Sequence, residues 1–207
     1  MSKRKEDDHV IEDRVEKKIK DTQGPDGLTY IPDFIDKEEE IALLTNINNQ
    51  KWTRIVFGNR DVQQLGYAYN YAERRVDKTR DFLGPLPDWL DPSIQRMVEQ
   101  KLVPVCPDQV IVNKYEPGQG IAAHTDARSF GSHVCMLSLS APIVMEFRCN
   151  DQVHQQRLDP RSLCVITEDA RNKWTHQIHG RKSDVDPETG VPFKRDQRIS
   201  VTFRKVV

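Results

Sequence analysis

From about residue 108 onward the chain alternates short apolar-rich runs with turn punctuation. The runs are QVIVNKY (109–115), HVCMLSLS (133–140), IVMEFRC (143–149), SLCVIT (162–167), WTHQI (174–178) and RISVTFRKV (198–206). Their length and their content of Val, Ile, Phe and Tyr read as strands. Upstream, Asp36 is placed to cap a helix with Glu38–Glu40 in its first turn, where acidic residues suit the helix dipole. Ile41, Leu44 and Ile47 follow at helical spacing. Segment 52–71 is aromatic and strand-like and closes in Gly66-Tyr67-Ala68-Tyr69-Asn70-Tyr71. A connection containing Pro85, Pro87 and Pro92 leads into a second helix near 92–102. Two helices followed by a series of strands predict a mostly β fold with helices packed on an antiparallel core.

The first 21 residues break this pattern. They hold seven Lys/Arg and seven Asp/Glu and too little apolar surface to offset the entropy of ordering, so the reading is a disordered, charged tail. Lys3-Arg4-Lys5 within it has the composition of a nuclear signal, although a solvated tail accounts for it as well. The GPDG turn at 24–27 separates the tail from a single domain over 28–207. Over the whole chain of 207 residues, 31 Lys+Arg meet 32 Asp+Glu, a net charge of −1, which excludes a strongly basic nucleic-acid coat but not a local basic groove. No apolar run approaches the ~20 residues of a membrane helix, and the N-terminus lacks a secretory core. Cys106, Cys135, Cys149 and Cys164 form no CxxC pair, which argues against a disulfide scaffold or a cysteine-built zinc site. The expected setting is intracellular, cytoplasmic or nuclear, with no membrane partner, and the expected state is a monomer.

Three stretches carry chemistry. In His124-Thr125-Asp126, residues two apart on an extended segment project to one side, so an imidazole and a carboxylate can share a centre. With a distant His they make the 2-His-1-carboxylate triad that leaves positions on Fe(II) open; alone, HxD is a common chance pattern. In the last strand Ile199, Val201 and Phe203 take one face, and Arg198, Ser200, Thr202 and Arg204 the other, as in a strand lining a polar cavity or in an ordinary edge strand. An arginine there can clamp a carboxylate with its planar fork. Asn113 and Tyr115 share a strand face just before a turn through Gly118 and Gly120 that returns the chain to His124.

Taken together, Asn113-x-Tyr115-x-x-Gly118, His124-x-Asp126, a distant His and Arg198-x5-Arg204 resemble the AlkB-like Fe(II)/2-oxoglutarate-dependent dioxygenases. The resemblance covers about residues 28–207. The stretches NKYEPGQGIAAHTD, GYAYNY, LGPLPDWL and WTH are most similar to the branch that hydroxylates a modified wobble uridine in tRNA, here as the oxygenase domain only. The resemblance implies a double-stranded β-helix, or jelly roll, with buttressing helices. It implies Fe(II) held by His124, Asp126 and a third His, and 2-oxoglutarate bound by Asn113, Tyr115 and Arg198, with Arg204 nearby. O2 and 2-oxoglutarate would be consumed as a substrate C–H bond is hydroxylated. Between His176 and His179, which face opposite sides of an extended strand, the family pattern Trp-x-His selects His176. His9, His133 and His154 are assigned ordinary surface or structural roles.

For the substrate, the resemblance implies a nucleic-acid base, in tRNA or in single-stranded alkylated DNA or RNA, either hydroxylated or oxidatively demethylated. Alternation places Tyr67, Tyr69 and Tyr71 on one face, so all three are buried or all three line a groove where a base can stack. Arg54, Arg60, Arg171, Lys173, Arg181 and Lys182 are candidate phosphate contacts. Repair-type relatives often carry an acidic residue two places after the metal Asp; this chain has Arg128, which disfavours a cationic lesion. A near-neutral domain leaves room for a helper protein that supplies RNA affinity. The alternatives are the same oxygenase acting on protein or a small molecule, and a catalytically silent binding module of the same fold.

Overall fold

The computed structural model describes residues 24–55 and 60–207; the tail expected over 1–21 lies outside them. Among the described residues there are thirteen strands: β1 (Leu28–Ile31), β2 (Thr53–Ile55), β3 (Arg60–Leu65), β4 (Gln109–Tyr115), β5 (Ile121–His124), β6 (Phe130–Leu139), β7 (Ile143–Cys149), β8 (Gln152–Leu158), β9 (Leu163–Ile166), β10 (Thr175–Ile178), β11 (Ser183–Val185), β12 (Pro192–Lys194) and β13 (Arg198–Val206). The α-helices are α1 (Lys37–Asn48), α2 (Asp91–Glu99) and the single-turn α3 (Glu168–Asn172). A seven-stranded sheet in the order β1-β9-β6-β13-β4-β3-β2 faces a four-stranded sheet ordered β5-β10-β7-β8, and β11-β12 forms a separate hairpin. The pairings are antiparallel. The result is the jelly roll with flanking helices.

Alternation along the strands divides the interior in two. From β13, Ile199, Val201 and Phe203 join Val110 and Val112 of β4 and Leu137 and Leu139 of β6 under the two helices. The opposite faces look into the space between the sheets, where Val134, Met136, Met145, Phe147 and Ile178 pack. There β13 and β4 contribute polar groups, so one end of the sandwich is a polar chamber within an apolar core.

Helix α1 is started by a capping box: Asp36 accepts from the Glu39 amide at 2.8 Å and Glu39 accepts from the Asp36 amide at 2.9 Å. Its buried side differs from the Ile41/Leu44/Ile47 expectation. Glu40, Leu43 and Ile47 face inward, while Ile41 is 55% exposed. The carboxylate at 40 can turn inward because it accepts from the Ser140 amide at 2.8 Å and from Arg161 at 3.3 Å. Helix α2 ends at Glu99, three residues short of expectation. All four cysteines are free thiols, and no described helix is long and apolar enough to cross a membrane.

Candidate active site

Strand register places the donors. His176 of β10 lies opposite His124, the last residue of β5, and their rings stand 4.4 Å apart. β5 ends at His124, and Asp126 follows in the unpaired segment that leads into the turn at 128–129. What brings the carboxylate inward is a pair of arginines. Arg204 donates from Nε to Asp126 Oδ1 at 2.8 Å, and its Nη2 lies 2.8 Å from the same oxygen. Arg171 donates to the carbonyls of Asp126 (2.9 Å), Ala127 (2.8 Å) and Phe130 (3.3 Å), pinning the whole turn. Arg171 is therefore a buried anchor and not the phosphate contact its charge suggested.

Asp126 Oδ2 is then left 3.7 Å from His176 Nε2, buried and without a hydrogen-bond partner, and His176 Nδ1 is likewise unpartnered. His124 Nδ1 is held at 2.8 Å from the Ala122 carbonyl. Burial alone would raise the Asp126 pKa, but Arg204, with the two histidines and Arg171, holds it well below the usual carboxylate range. Burial and the neighbouring His124 push His176 down to about 3, and burial lowers His124 despite Asp126. Two neutral imidazoles beside an ionised carboxylate are the protonation states that a divalent metal requires. Among the described residues no group of three or more His, Cys, Asp and Glu stands close enough as placed to hold a metal ion. The three donors lie side by side, and the orphaned Oδ2 fits a cation in need of one anionic oxygen and two nitrogens. His179, by contrast, points to Glu146, 3.1 Å away, on the outer side of the small sheet.

The candidate oxo-acid end centres on Arg198. Arg198 is fully buried at 1% exposure; Nη2 donates to Ser138 Oγ at 2.8 Å, whereas Nε and Nη1 have no partner. Burial lowers its pKa to about 10, so it stays a cation with no carboxylate beside it. Tyr115 lies opposite it in the sheet, its ring 5.6 Å from the guanidinium carbon, and Asn113 lies opposite Ser200. An inner cavity of about 30 Å³ between the sheets is lined by Asn113, Tyr115, His124, Asp126, His176 and Ser200, among others.

An outer cavity of about 390 Å³ opens above His124 and Asp126, walled by Tyr69, Tyr71, Phe130, Arg60 and Arg74. Tyr67 is not in that wall. It packs on Phe82, ring centroids 5.1 Å apart, while Tyr69 and Tyr71 meet edge to face at 5.1 Å. The alternation argument fails because β3 ends at Leu65 and Gly66 turns the chain at φ +77°. Arg128 is exposed and is not among the residues that line the cavity. Among the other candidate phosphate contacts, Arg54 pairs with Asp61, Lys173 with Asp169 and Arg181 with Asp184, and Lys182 is exposed. Arg60 is buried and donates to Asn113 Oδ1 at 2.9 Å. The sequence had also given no sign of Ser138, Asp184 or Arg195. Arg195 joins Asp184 to the carbonyls of His179 and Gln119 and so fixes the turn that leads into β5.

Facing antiparallel sheets with this donor group between them define the class of non-haem oxygenases built on a jelly roll. The sequence pattern of the 2OG-Fe(II) oxygenase superfamily matches residues 27–204, and the chain belongs to that family. It is accordingly a dioxygenase that uses Fe(II), 2-oxoglutarate and O2. It is 35% identical over 95% of its length to the tRNA (carboxymethyluridine(34)-5-O)-methyltransferase alkbh8 of Xenopus tropicalis, and spans about a third (34%) of that relative. It is 34% identical to the uncharacterized protein L905 of Acanthamoeba polyphaga mimivirus, over 92% of this chain and 90% of that protein. The solved structure of OsALKBH1 superposes with a TM-score of 0.67 at 18% identity, over 89% of this chain and 98% of that one.

Proposed function

We propose that the chain hydroxylates a modified uridine in tRNA, and that His124, Asp126 and His176 hold the iron while Asn113, Tyr115 and Arg198 hold 2-oxoglutarate. The observation carrying the substrate reading is the outer cavity: two tyrosines stand over the His124–Asp126 pair, where an unstacked base can lie against a ring with its substituent toward the metal ligands. The relatives named for ALKBH8 support tRNA as the polymer.

The bound iron and 2-oxoglutarate supply the oxidising power, with 2-oxoglutarate decarboxylated to succinate and one atom of O2 inserted into a substrate C–H bond. The protein's own contribution is placement. Arg198 clamps the remote carboxylate of the diacid through the two nitrogens it leaves unpaired, and Tyr115 donates to the same group. Arg204 and Arg171 keep Asp126 ionised and aimed. Burial keeps His176 neutral. Tyr69 and Tyr71 orient the base and displace water from the reacting carbon.

The test is succinate formation with Fe(II) and 2-oxoglutarate in the presence of total tRNA, methylated single-stranded DNA or no polymer, with formaldehyde measured in parallel. Stimulation by tRNA without formaldehyde supports the proposal, since a hydroxyl on a carbon-bound substituent persists. Stimulation by methylated DNA with formaldehyde makes the enzyme a demethylase. No stimulation by either polymer leaves an oxygenase with a protein or small-molecule substrate.

A further inference from the structure

Arg60 is an arginine out of place for its sequence context. It stands at the very start of β3, where a charged residue ordinarily faces water, yet it is only 6% exposed. Strand pairing explains its position: Val62 lies opposite Asn113 and Asp61 opposite Lys114, so the side chain of Arg60 falls on the cavity face, diagonal to Asn113. Its Nε is engaged by Asn113 Oδ1 at 2.9 Å, and its guanidinium carbon lies 6.0 Å from the centre of the Tyr115 ring. Among the described residues no carboxylate pairs with it. The terminal nitrogens are left to the outer cavity, which Arg60 lines together with Tyr71, whose hydroxyl is buried and unpartnered.

The charge inventory of that cavity is one-sided. Its lining carries Arg60, Arg74 and Arg204 against the single carboxylate Asp126, and Arg204 is already committed to that carboxylate. Two guanidinium groups remain, one at the floor and one at the rim. A buried cation without a carboxylate is costly unless something else completes it, and an arginine fork is completed by carbonyl or carboxylate oxygens.

We infer that Arg60 is a specificity-determining residue that reads an acceptor oxygen on the substrate base, so that the cavity accepts uridines bearing carbonyl or carboxylate substituents and rejects cationic bases. The inference rests on the base-modification reading above and refines it. It also places in Arg60 the charge discrimination that the sequence had suggested for Arg128. Arg60 has a second duty: its bond to Asn113 Oδ1 fixes the amide so that the Asn113 NH2 is the end free to face the inner cavity.

The test uses the full chain and two nucleosides of equal scaffold and opposite charge, 5-carboxymethyluridine and 5-aminomethyluridine. Their binding is followed by protein-observed NMR for wild type, Arg60→Gln and Arg60→Lys, with anticodon stem-loop RNAs bearing the same bases assayed for succinate in parallel. The expected result is a roughly tenfold or greater preference of wild type for the carboxymethyl nucleoside, kept in part by Arg60→Lys and reduced to within about twofold in folded Arg60→Gln. The preference is a ratio, so altered 2-oxoglutarate binding does not mimic its loss. Preference for the aminomethyl nucleoside, or a carboxymethyl preference that survives in Arg60→Gln, overturns the inference. If stem-loops fail to stimulate turnover while the nucleoside preference still depends on Arg60, the RNA reading falls and the assignment of Arg60 stands.

Discussion

Arg198 shows how a single side chain announces its task by what it lacks. It is fully buried, with two nitrogens unpaired, in a sheet whose neighbouring strand offers Tyr115 and Asn113 in place of a carboxylate. A stabilising structural arginine is satisfied by the protein, as Arg195 is by Asp184 at 2.7 and 2.8 Å. In the proposed assignment the two unpaired nitrogens of Arg198 take the carboxylate of 2-oxoglutarate. Replacing it by Ala is expected to raise the 2-oxoglutarate concentration needed for half-maximal succinate formation by about tenfold or more, while iron affinity stays within about twofold; equal losses in both would contradict this division of labour. Lys at 198 keeps the charge but not the fork, and should recover only part of the loss.

At the level of elements, the site depends on two close approaches that hold the HxD turn and the strand before it. Gly120 precedes β5 where a Cβ would land on the Ile178 carbonyl and crowd the Gly180 amide, so β5 and β10 can run close enough to set His124 against His176 only with glycine there. Gly120→Ala is expected to cost ~2 kcal/mol or more, seen as a melting temperature lower by about 4–8 °C. Arg171→Met removes the donors to three carbonyls of the 126–130 turn; iron affinity should fall about tenfold or more, with a loss of stability in the same variant. A variant that melts lower yet binds iron normally would show that the turn does not aim Asp126.

The elements also show what a sequence can and cannot disclose. β4 and β13 were legible because they alternate between an apolar face under the helices and a second buried face, and β7 because its apolar run is buried through Phe147. β8, QVHQQRL, was missed because it is the edge of the small sheet, with half its side chains in water and little apolar signal. β5 and α3 are too short to carry a period. The candidate donors His124 and Asp126 stand out by their spacing and His176 by the family pattern, whereas the shell around them carries no such mark. Arg171, Arg60 and Ser138 lie far in sequence from the groups they hold, and a lone arginine or serine carries no mark of burial. The tyrosine reading erred for a related reason: alternation applies only while the strand lasts, and it stops one residue before Gly66.

For the molecule as a whole, Asp184 is the tie between the β11–β12 hairpin, the small sheet and the turn before β5. It accepts from the Val144 amide at 3.0 Å and from Arg195 and Arg181. Burial opposes its ionisation, but these donors, led by Arg195, hold its pKa below the usual value of 3.8. Because the folded pKa is the lower one, this carboxylate contributes stability that is fully present above the unfolded value and lost as pH falls through the folded value. Asp184→Asn should therefore flatten the acid limb of the stability curve below about pH 4, measured by chemical denaturation at a series of pH values. An unchanged limb would mean that the tie is not carried by its charge.

The most direct measurement is an anaerobic titration of the intact chain with Fe(II) and 2-oxoglutarate, following the visible charge-transfer absorption that arises when the oxo-acid chelates the metal. The band should form at one equivalent in wild type and in His179→Ala, whose side chain faces Glu146 on the outer surface, and should be lost in folded His176→Ala and Asp126→Ala. Loss in His179→Ala with retention in His176→Ala would contradict the site described here.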